Sequence, residues 1–401
     1  MKVKANVLII NAHWNNRGDE AALRSLIDSL SRKTNLISVQ IQSTKVLQFP
    51  YENIKYTTEY PRLRNLLGFI LSIITNFKYI PSAARGLVQM MQQADIIIHA
   101  PGGPSIGDIY GIKELNYLAK FWAASKMGKP YIFAAPSAGP FKSKCSNIFR
   151  RKMYRNAQAI VLREEISQGF LNELLPQNKS IVTCDLALQN DISFDTQNFI
   201  LGMNQELIEF LADKKVVGVT ITDLLWHPIH GKNKHLQEQI RTSFTALLEN
   251  ITSKGYKVIF IPQLFELGND YTLMEKYCIN SNCLVLSDQY DAYFQQFLIS
   301  KLYAVVGMRY HSNIFSAKMG IPFVSVSYEQ KMKGFMKKID LLDYCVDIKE
   351  LSGKTLIDRF NALENNQNEL RKYLSDKALE LKFLSHKTID IIEKSIDELE
   401  K

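Results

Sequence analysis

Cysteines are few in this chain of 401 residues, and their arrangement argues against two classes of protein. The chain has five, an odd number, and no two of them are separated by only two residues. This usage argues against a disulfide framework and against a zinc site built from cysteine pairs. It is typical of a reducing compartment, so we expect a cytoplasmic protein.

Long apolar runs are missing as well. No stretch of 18 or more consecutive apolar residues occurs, so the sequence predicts no transmembrane helix. The run Val7–Ile10 near the N-terminus is too short for the apolar core of a signal peptide. It is typical of a buried first strand.

A shorter apolar segment, Leu66–Phe77, is flanked by Arg62, Arg64, Lys78 and Arg85. It is too short to span a bilayer, and two interpretations stay open. The segment is either a peripheral helix at the inner face of the membrane, with the basic residues meeting anionic headgroups, or a helix packed on a sheet or in a dimer contact.

Several functional signatures are also absent. The first strand is not followed by a Gly-x-Gly-x-x-Gly fingerprint, and the glycine pair Gly102-Gly103 lacks the lysine of a P-loop, which disfavours NAD and nucleoside triphosphates. The net charge of +9 is compatible with an anionic partner, but no nucleic-acid-binding motif occurs, so we expect no nucleic acid. His227, His230 and His235 match no zinc spacing, and we expect no metal site.

The pattern that is present is an alternation of short β-branched runs with helical segments. It predicts an α/β protein of two doubly wound, Rossmann-like domains facing a cleft, which is the GT-B-like arrangement. The apolar pattern weakens between Asp185 and Asn204 and then resumes. We therefore predict an N-terminal domain over residues 1–195, a C-terminal domain over 205–375 and a C-terminal helix over 376–401.

The candidate functional residues follow predicted strands, where ligands of such folds bind. In the first motif, Asn16–Ala21, Asp19 either caps the first helix or serves with Glu20 in the cleft. The pair Gly102-Gly103 exposes backbone N–H groups to an anion, or simply forms a tight turn. The small-residue loop around Ser137 lets a substrate approach closely, or is likewise only a turn.

Cationic residues follow three further strands, the last of which is followed by Lys331. Arg163 suits a carboxylate or phosphate, unless Glu164 and Glu165 pair with it. Arg309 and His311 lie two residues apart where a strand passes into a helix, and both can point at one anion. His311 can also transfer protons near neutral pH.

Taken in order, these motifs resemble the polysaccharide pyruvyl transferase family over about residues 7–335. Two departures from the family pattern occur, Pro104 in place of a third glycine and Leu186 in place of a proline. The matching segments are Asn16–Ala21, Gly102-Gly103, Ser137–Pro140, Arg163–Ser167, Asp185–Ala187, Arg309–His311, Gly320–Pro322 and Tyr328–Lys331.

The resemblance implies a transferase that moves a pyruvyl group from phosphoenolpyruvate onto hydroxyls of a sugar, forming a ketal. The sugar would belong to an exopolysaccharide of the cell envelope or to its lipid-linked precursor. The N-terminal domain would hold the acceptor and the C-terminal domain the donor, with phosphoenolpyruvate as co-substrate and no cofactor.

The resemblance also implies roles for the candidate residues. Phosphoenolpyruvate carries about three negative charges, so several cations and N–H groups must face it. The donor is assigned to Arg309, Arg163, Lys331, Gly102 and Gly103, proton transfer to His311, Asp19 and Glu20, and the acceptor to Asn16 and Ser137.

Two rival functions are kept. The first is a GT-B glycosyltransferase, with Arg309 and Lys331 on the diphosphate of a nucleotide sugar. The second is a non-catalytic sugar-binding or assembly protein. Replacement of Arg309 and His311 by alanine tests this second rival. If the protein is an enzyme with this site, the replacement abolishes product formation and leaves the fold intact.

Overall fold

The short apolar runs become the strands of two parallel sheets, one in each of two units of the chain. The computed structural model describes residues 5–41, 51–58, 63–212, 215–227, 229–265 and 269–399. The first unit takes the chain up to Trp14, from Ala22 to Gln189 and from Phe383 onward. The second takes Asn15–Ala21 and Asn190–Lys382.

The sheet of the first unit has seven strands in the order β3-β2-β1-β4-β6-β8-β9, all parallel. The central strands are buried on both faces, which is why they consist of continuous β-branched runs. The order reverses between β1 and β4, and β5 and β7 form a separate parallel pair. The strands are β1 (Asn6–Ala12), β2 (Leu36–Ile41), β3 (Ile54–Thr58), β4 (Ile96–His99), β5 (Gly102–Ile106), β6 (Tyr131–Ala134), β7 (Pro136–Ala138), β8 (Ala159–Leu162) and β9 (Ile181–Val182).

Helices of the first unit cover its sheet with apolar stripes. One core cluster joins Phe69 and Ile73 of α2 to Phe121 of α4, Met153 of α5 and Leu8 of the first strand. These helices therefore lie on the same face of the sheet. The α-helices that precede Gln189 in the chain are α1 (Arg17–Leu30), α2 (Leu63–Ile74), α3 (Ser82–Gln93), α4 (Glu114–Lys126), α5 (Lys144–Asn156) and α6 (Glu165–Leu174).

The sheet of the second unit has six parallel strands in the order β12-β11-β10-β13-β14-β15. Its central strands β10, β13 and β14 are fully buried. The order again reverses in the middle, between β10 and β13, as in a doubly wound fold. The strands are β10 (Val216–Thr220), β11 (Lys257–Phe260), β12 (Cys283–Val285), β13 (Ala304–Gly307), β14 (Phe323–Ser327) and β15 (Cys345–Asp347).

The remaining helices alternate with these strands, and several begin at a side-chain cap. Asn233 and Asp291 each accept a hydrogen bond from the first turn of their helix, and Ser352 forms a capping box with Thr355. The helices are α7 (Thr196–Leu201), α8 (Gln205–Leu211), α9 (Lys234–Ser253), α10 (Asp270–Glu275), α11 (Ala292–Ser300), α12 (Tyr310–Lys318), α13 (Gln330–Lys338), α14 (Gly353–Asn365) and α15 (Gln367–Leu399).

The two units differ from the predicted domain ranges in three places, the first being the boundary, which falls after Gln189 rather than after residue 195. Asn15–Ala21 groups with the second unit, because the N–H of Arg17 donates to the carbonyl of Gln263 at 2.9 Å. The chain after Lys382 returns to the first unit, where the Ser385 hydroxyl donates to the carbonyl of Asp185. The final helix is also longer than predicted, since it begins at residue 367 rather than 376.

The segment Leu66–Phe77 forms most of α2 and packs on the sheet through one side, as the second of the two interpretations expects. Its other side is exposed. Of the flanking residues, Arg62 and the side chain of Arg64 lie outside the described part of the chain. Within that part, no helix combines the length and apolar character needed to cross a membrane.

Candidate active site

The first motif opens α1 and is fixed to the second unit. Asn16 accepts a hydrogen bond from the N–H of Gly18 through its side-chain oxygen, at 2.9 Å. The same residue forms an isolated antiparallel bridge with Leu264. Arg17 lies over the ring of Phe265, 4.5 Å from its centroid, and donates to the carbonyl of Asp288 at 2.7 Å. The predicted acceptor residue Asn16 is thus built into the unit that also carries Arg309 and His311.

Gly18 lies directly against the imidazole of His311. A Cβ atom at Gly18 would be 1.7 Å from Nδ1 of this ring, so any larger residue would displace it. His311 is the second residue of α12 and is buried, while Gly18 is the second residue of α1. The N-terminal turns of two helices therefore meet at this contact, and each contributes the partial positive charge of a helix N-terminus.

The two acidic residues of the motif differ in their surroundings. Glu20 is fully buried; one carboxylate oxygen accepts from Arg17 Nη1 at 2.7 Å and the other from the backbone N–H of Ala292, the first residue of α11, at 3.1 Å. Asp19 is only partly buried. The contacts of Glu20 anchor the motif, whereas Asp19 reaches solvent.

Arg309 is buried and forms a two-point ion pair with Asp270. Its Nε donates to Asp270 Oδ2 at 3.0 Å and its Nη2 pairs with Oδ1. Asp270 also accepts from the backbone N–H groups of Gln263 and Leu264, each at 3.0 Å. Burial lowers the pKa of Arg309, but the carboxylate outweighs it and the pKa lies above its ordinary value. The guanidinium is therefore charged and rigidly held.

Sequence reasoning did not find Asp270, which lies 39 residues before Arg309 in the chain. Its only local signal is its place at the start of α10, after the capping residue Asn269. Trp226 was also missed, and its ring lies 5.1 Å from the guanidinium carbon of Arg309. The first turn of α10 and the loop after β10 supply these two residues, and only the sheet brings them together.

Lys331 belongs to a chain of charged contacts at the end of β14. Its Nζ is 2.6 Å from Glu329 Oε2, and the other oxygen of Glu329 is 3.2 Å from His227 Nε2. Burial raises the pKa of Glu329, but Lys331 and His227 more than offset this and hold it well below its ordinary range. Glu329 is thus a carboxylate shared by two basic groups.

The histidines of the loop after β10 hold that loop in place. His227 Nδ1 accepts the backbone N–H groups of Ile229 and His230, each at 3.2 Å, so both of its ring nitrogens are engaged. His230 stacks on His227 with ring centroids 4.6 Å apart. Within the residues that the structure describes, no group of three His, Cys, Asp or Glu side chains is placed to hold a metal ion.

Arg163 lies in the first unit and connects three motifs. It is buried; its Nε donates to Ser137 Oγ at 2.8 Å and its Nη1 to Asp185 Oδ2 at 2.7 Å. Asp185 in turn accepts from the N–H of Ala187. Nearby, the hydroxyl of Ser167 accepts from the backbone of the Ser137 loop. In these two bonds the partners of Arg163 are Ser137 and Asp185.

Gly102 and Gly103 begin β5 rather than forming an open turn. Gly102 pairs with Pro136 of β7, so the glycine pair lies beside the strand that carries Ser137. The stretch Gly103–Gly107 also matches the Gly-x-Ser-x-Gly pattern of serine hydrolases, but it lies in this strand and not at a strand-to-helix turn. The structure thus groups the candidate residues in two sets, with the glycine pair, Ser137 and Arg163 in the first unit.

Solved structures with a similar fold act on sugar nucleotides and sugar phosphates. UDP-GlcNAc 2-epimerase from Neisseria meningitidis matches with a TM-score of 0.59 and 15% identity, over 98% of this chain and 100% of the enzyme. Trehalose-6-phosphate synthase from Burkholderia multivorans matches with a TM-score of 0.57 and 10% identity, over 99% of both chains. At such identities only the fold is shown, and the predicted GT-B-like fold class of two Rossmann-like domains is confirmed.

The chain belongs to the polysaccharide pyruvyl transferase family, whose model matches residues 16–330. It is also similar to the amylovoran biosynthesis protein AmsJ of Erwinia amylovora, with 23% identity over 97% of this chain and 99% of the relative. The family resemblance predicted from the motifs is confirmed. Polysaccharide modification by a transferase is therefore the general role of the chain.

Proposed function

We propose that this chain transfers the pyruvyl group of phosphoenolpyruvate to two hydroxyls of a saccharide and releases phosphate. The observation that carries the proposal is the contact of Gly18 with His311, beside the buried Arg309, within one unit. Two helix N-terminal turns, a guanidinium and an imidazole are suited to an anion that carries both a carboxylate and a phosphate. Family membership supports the same donor.

We assign the donor to the second unit. Asp270 fixes the guanidinium of Arg309, so the arginine offers a pre-oriented charge. Lys331 adds a second cation, whose charge is partly balanced by Glu329. Arg163, Gly102 and Gly103 were also expected to bind the donor, and this stays a prediction for residues of the first unit.

The proposed reaction begins with protonation of the methylene carbon of phosphoenolpyruvate, which makes the neighbouring carbon electrophilic. A sugar hydroxyl adds to that carbon and gives its proton to a base. The bond to phosphate breaks and the phosphate leaves with the electron pair. A second hydroxyl then adds and loses its proton, closing the ketal. The step needs no oxidant, and we propose that it needs no cofactor.

We propose His311 and Asp19 as the groups that transfer these protons. His311 follows the donor cation Arg309 by two residues at the start of α12, and Asp19 is partly exposed within the same motif as Gly18. Glu20 was predicted for the same task, but its two oxygens are bonded to Arg17 and Ala292. We therefore propose that Glu20 positions the motif.

The acceptor is proposed to be a saccharide of an exopolysaccharide or its lipid-linked precursor, bound in the cytoplasm with the help of Asn16 and Ser137. The similarity to the amylovoran biosynthesis protein supports this substrate class. Lipid linkage would place the reaction at the inner membrane face.

The test is an assay with phosphoenolpyruvate or a nucleotide sugar as donor and a panel of saccharides as acceptors. We expect phosphate release that depends on the acceptor, and a product whose methyl carbon carries the donor's label when the donor is labelled at its methylene carbon. Release of nucleotide from the sugar nucleotide would favour a glycosyltransferase. Product formation that survives in both Arg309→Ala and His311→Ala would contradict the proposed site.

A further inference from the structure

The outer side of α2 carries an exposed apolar stripe. Leu67, Leu71 and Ile74 are 58%, 41% and 65% exposed, and their spacing of four and three residues places them on one side of the helix. The opposite side holds Phe69 and Ile73, which are buried in the core. The stripe is thus additional to what packing on the sheet requires.

A second helix shows the same character. Ile148 and Phe149 of α5 are 66% and 60% exposed. Around them, Lys144, Lys152 and Arg155 are also exposed. Exposed large apolar side chains beside cations are typical of helices that lie at a membrane interface.

The two helices lie on the same face of the first unit's sheet, so the exposed side of each is turned away from that sheet. Phe69 of α2 and Met153 of α5 belong to one core cluster, together with Leu8 and Ile10 of β1. Both helices also contact α4, which lies in the same layer. We call the outward side of these two helices, defined by Leu67, Leu71, Ile74, Ile148 and Phe149, the α2–α5 face.

The two segments of chain that carry this face have charges of one sign, and the nearby Asp108 is paired with the buried Arg150. Neither residues 60–94 nor residues 141–156 contain any aspartate or glutamate. The exposed residues Lys78 and Arg85 follow α2 in the chain. A cationic rim around apolar side chains complements a bilayer with anionic headgroups, which attracts each nearby cation by about 1 kcal/mol.

We propose that the α2–α5 face docks on an anionic lipid surface. The apolar side chains enter the boundary between headgroups and acyl chains, while Lys144, Lys152 and Arg155 contact the headgroups. α2 alone was suspected from the sequence, and the structure adds α5 as a second contact. The proposal does not depend on the reaction, because it rests only on the surface of the first unit.

The experiment measures co-sedimentation of the full chain with vesicles of phosphatidylcholine, with and without phosphatidylglycerol. We expect binding that requires the anionic lipid and weakens with salt. The triple variant Leu67→Glu, Leu71→Glu, Ile74→Glu is expected to lose at least about tenfold in partitioning. The matched control is Phe383→Glu, which also replaces an exposed apolar residue of the first unit but lies outside the face.

A second pair of variants tests α5. Lys144→Gln and Lys152→Gln are each expected to weaken partitioning about fivefold, which is the effect of one charge near the surface. Ile148→Ser with Phe149→Ser tests the apolar part without adding charge. We expect thermal unfolding to show that every variant retains the fold, because all replaced side chains are exposed.

Three results would overturn the proposal. The first is absence of wild-type binding to anionic vesicles. The second is equal binding of the wild type and the triple α2 variant. The third is self-association of the chain in solution that the α2 variant abolishes while vesicle binding persists, which would make the face a contact between copies. None of these results bears on phosphoenolpyruvate, so failure here is distinguishable from failure of the proposed reaction.

Discussion

Arg309 and Arg163 are both buried arginines that pair with an aspartate, but their surroundings differ. Arg163 bonds to Ser137 and Asp185, and these bonds connect segments of the first unit to one another. Arg309 bonds to Asp270 and lies between an aromatic ring and the turn that carries His311. A buried arginine paired with an aspartate is thus found in two different settings, and its neighbours decide which role we expect of it.

The two arginines differ in the reactive groups that surround them. Arg309 has an imidazole two residues away and two helix N-terminal turns beside it. The partners of Arg163 are a hydroxyl and a carboxylate that complete loops. We therefore expect loss of Arg309 to reduce catalysis most, and loss of Arg163 to reduce stability most.

The largest loss of catalytic rate is expected for Arg309→Lys. The lysine keeps the charge opposite Asp270 but loses the two-point geometry, so kcat/KM should fall about 10²–10³-fold while the protein stays folded. The assay is acceptor-dependent phosphate release. The control is Arg241→Lys, an exposed arginine paired with Glu238, which should leave the rate unchanged. A normal rate for the Arg309 variant would remove the distinction.

Gly18→Ala should come next. Its methyl group would overlap the ring of His311, and displacement of a reacting group by about 1 Å can cost about 100-fold in rate. The matched control is Gly86→Ala in α3, where nothing lies within 4 Å. That change should leave the rate alone and raise the free energy of unfolding by up to about 1 kcal/mol. Equal rates in the two variants would show that His311 has no catalytic part.

For Arg163→Leu we expect a loss of stability instead. The change leaves the buried carboxylate of Asp185 without its partner, which should lower the free energy of unfolding by about 3–5 kcal/mol. The double variant with Asp185→Leu should recover much of this loss. Denaturant unfolding measures both. If the double variant were stable and yet as inactive as Arg309→Lys, Arg163 would belong to the donor site after all.

The smallest expected loss of stability concerns His99, a buried residue of the first unit. Burial lowers the pKa of this histidine from 6.5 to about 4. The unfolded chain therefore binds a proton that the folded chain excludes, so stability is complete above pH 6.5 and falls by up to about 3 kcal/mol as the pH approaches 4. Comparison of denaturant unfolding between His99→Gln and the wild type isolates the contribution of His99 to this loss of stability. A ring titration near 6.5 by NMR would contradict the prediction.

Much of the fold was accessible from the sequence because the strands of the sheet centres are fully apolar. The run Val7–Ile10, interpreted as a buried first strand, lies within β1 (Asn6–Ala12). The strands Leu36–Ile41 and Ile54–Thr58 were missed, because polar residues interrupt their apolar pattern. A half-polar strand at or near a sheet edge has no periodicity strong enough to separate it from a loop.

The candidate site was accessible only in part. Arg309 and His311 could be found because both follow a buried strand at a fixed spacing. Asp270 could not, because its pairing with Arg309 depends on the order of β11, β10 and β13 in the sheet. The contact of Gly18 with His311 was hidden in the same way, because 293 positions separate the two residues. From the sequence, their two motifs were related only by their order in the chain.

The second unit is assembled from two separate pieces of chain. A protein fragment cut at the sequence boundary, residues 190–382, would retain His311 but lack the glycine that covers it. The same cut would leave the first unit without the return of the chain after Lys382. Exchange of the second unit between relatives therefore needs two pieces of chain, because a single crossover after Gln189 would join the Gly18 of one relative to the His311 of the other.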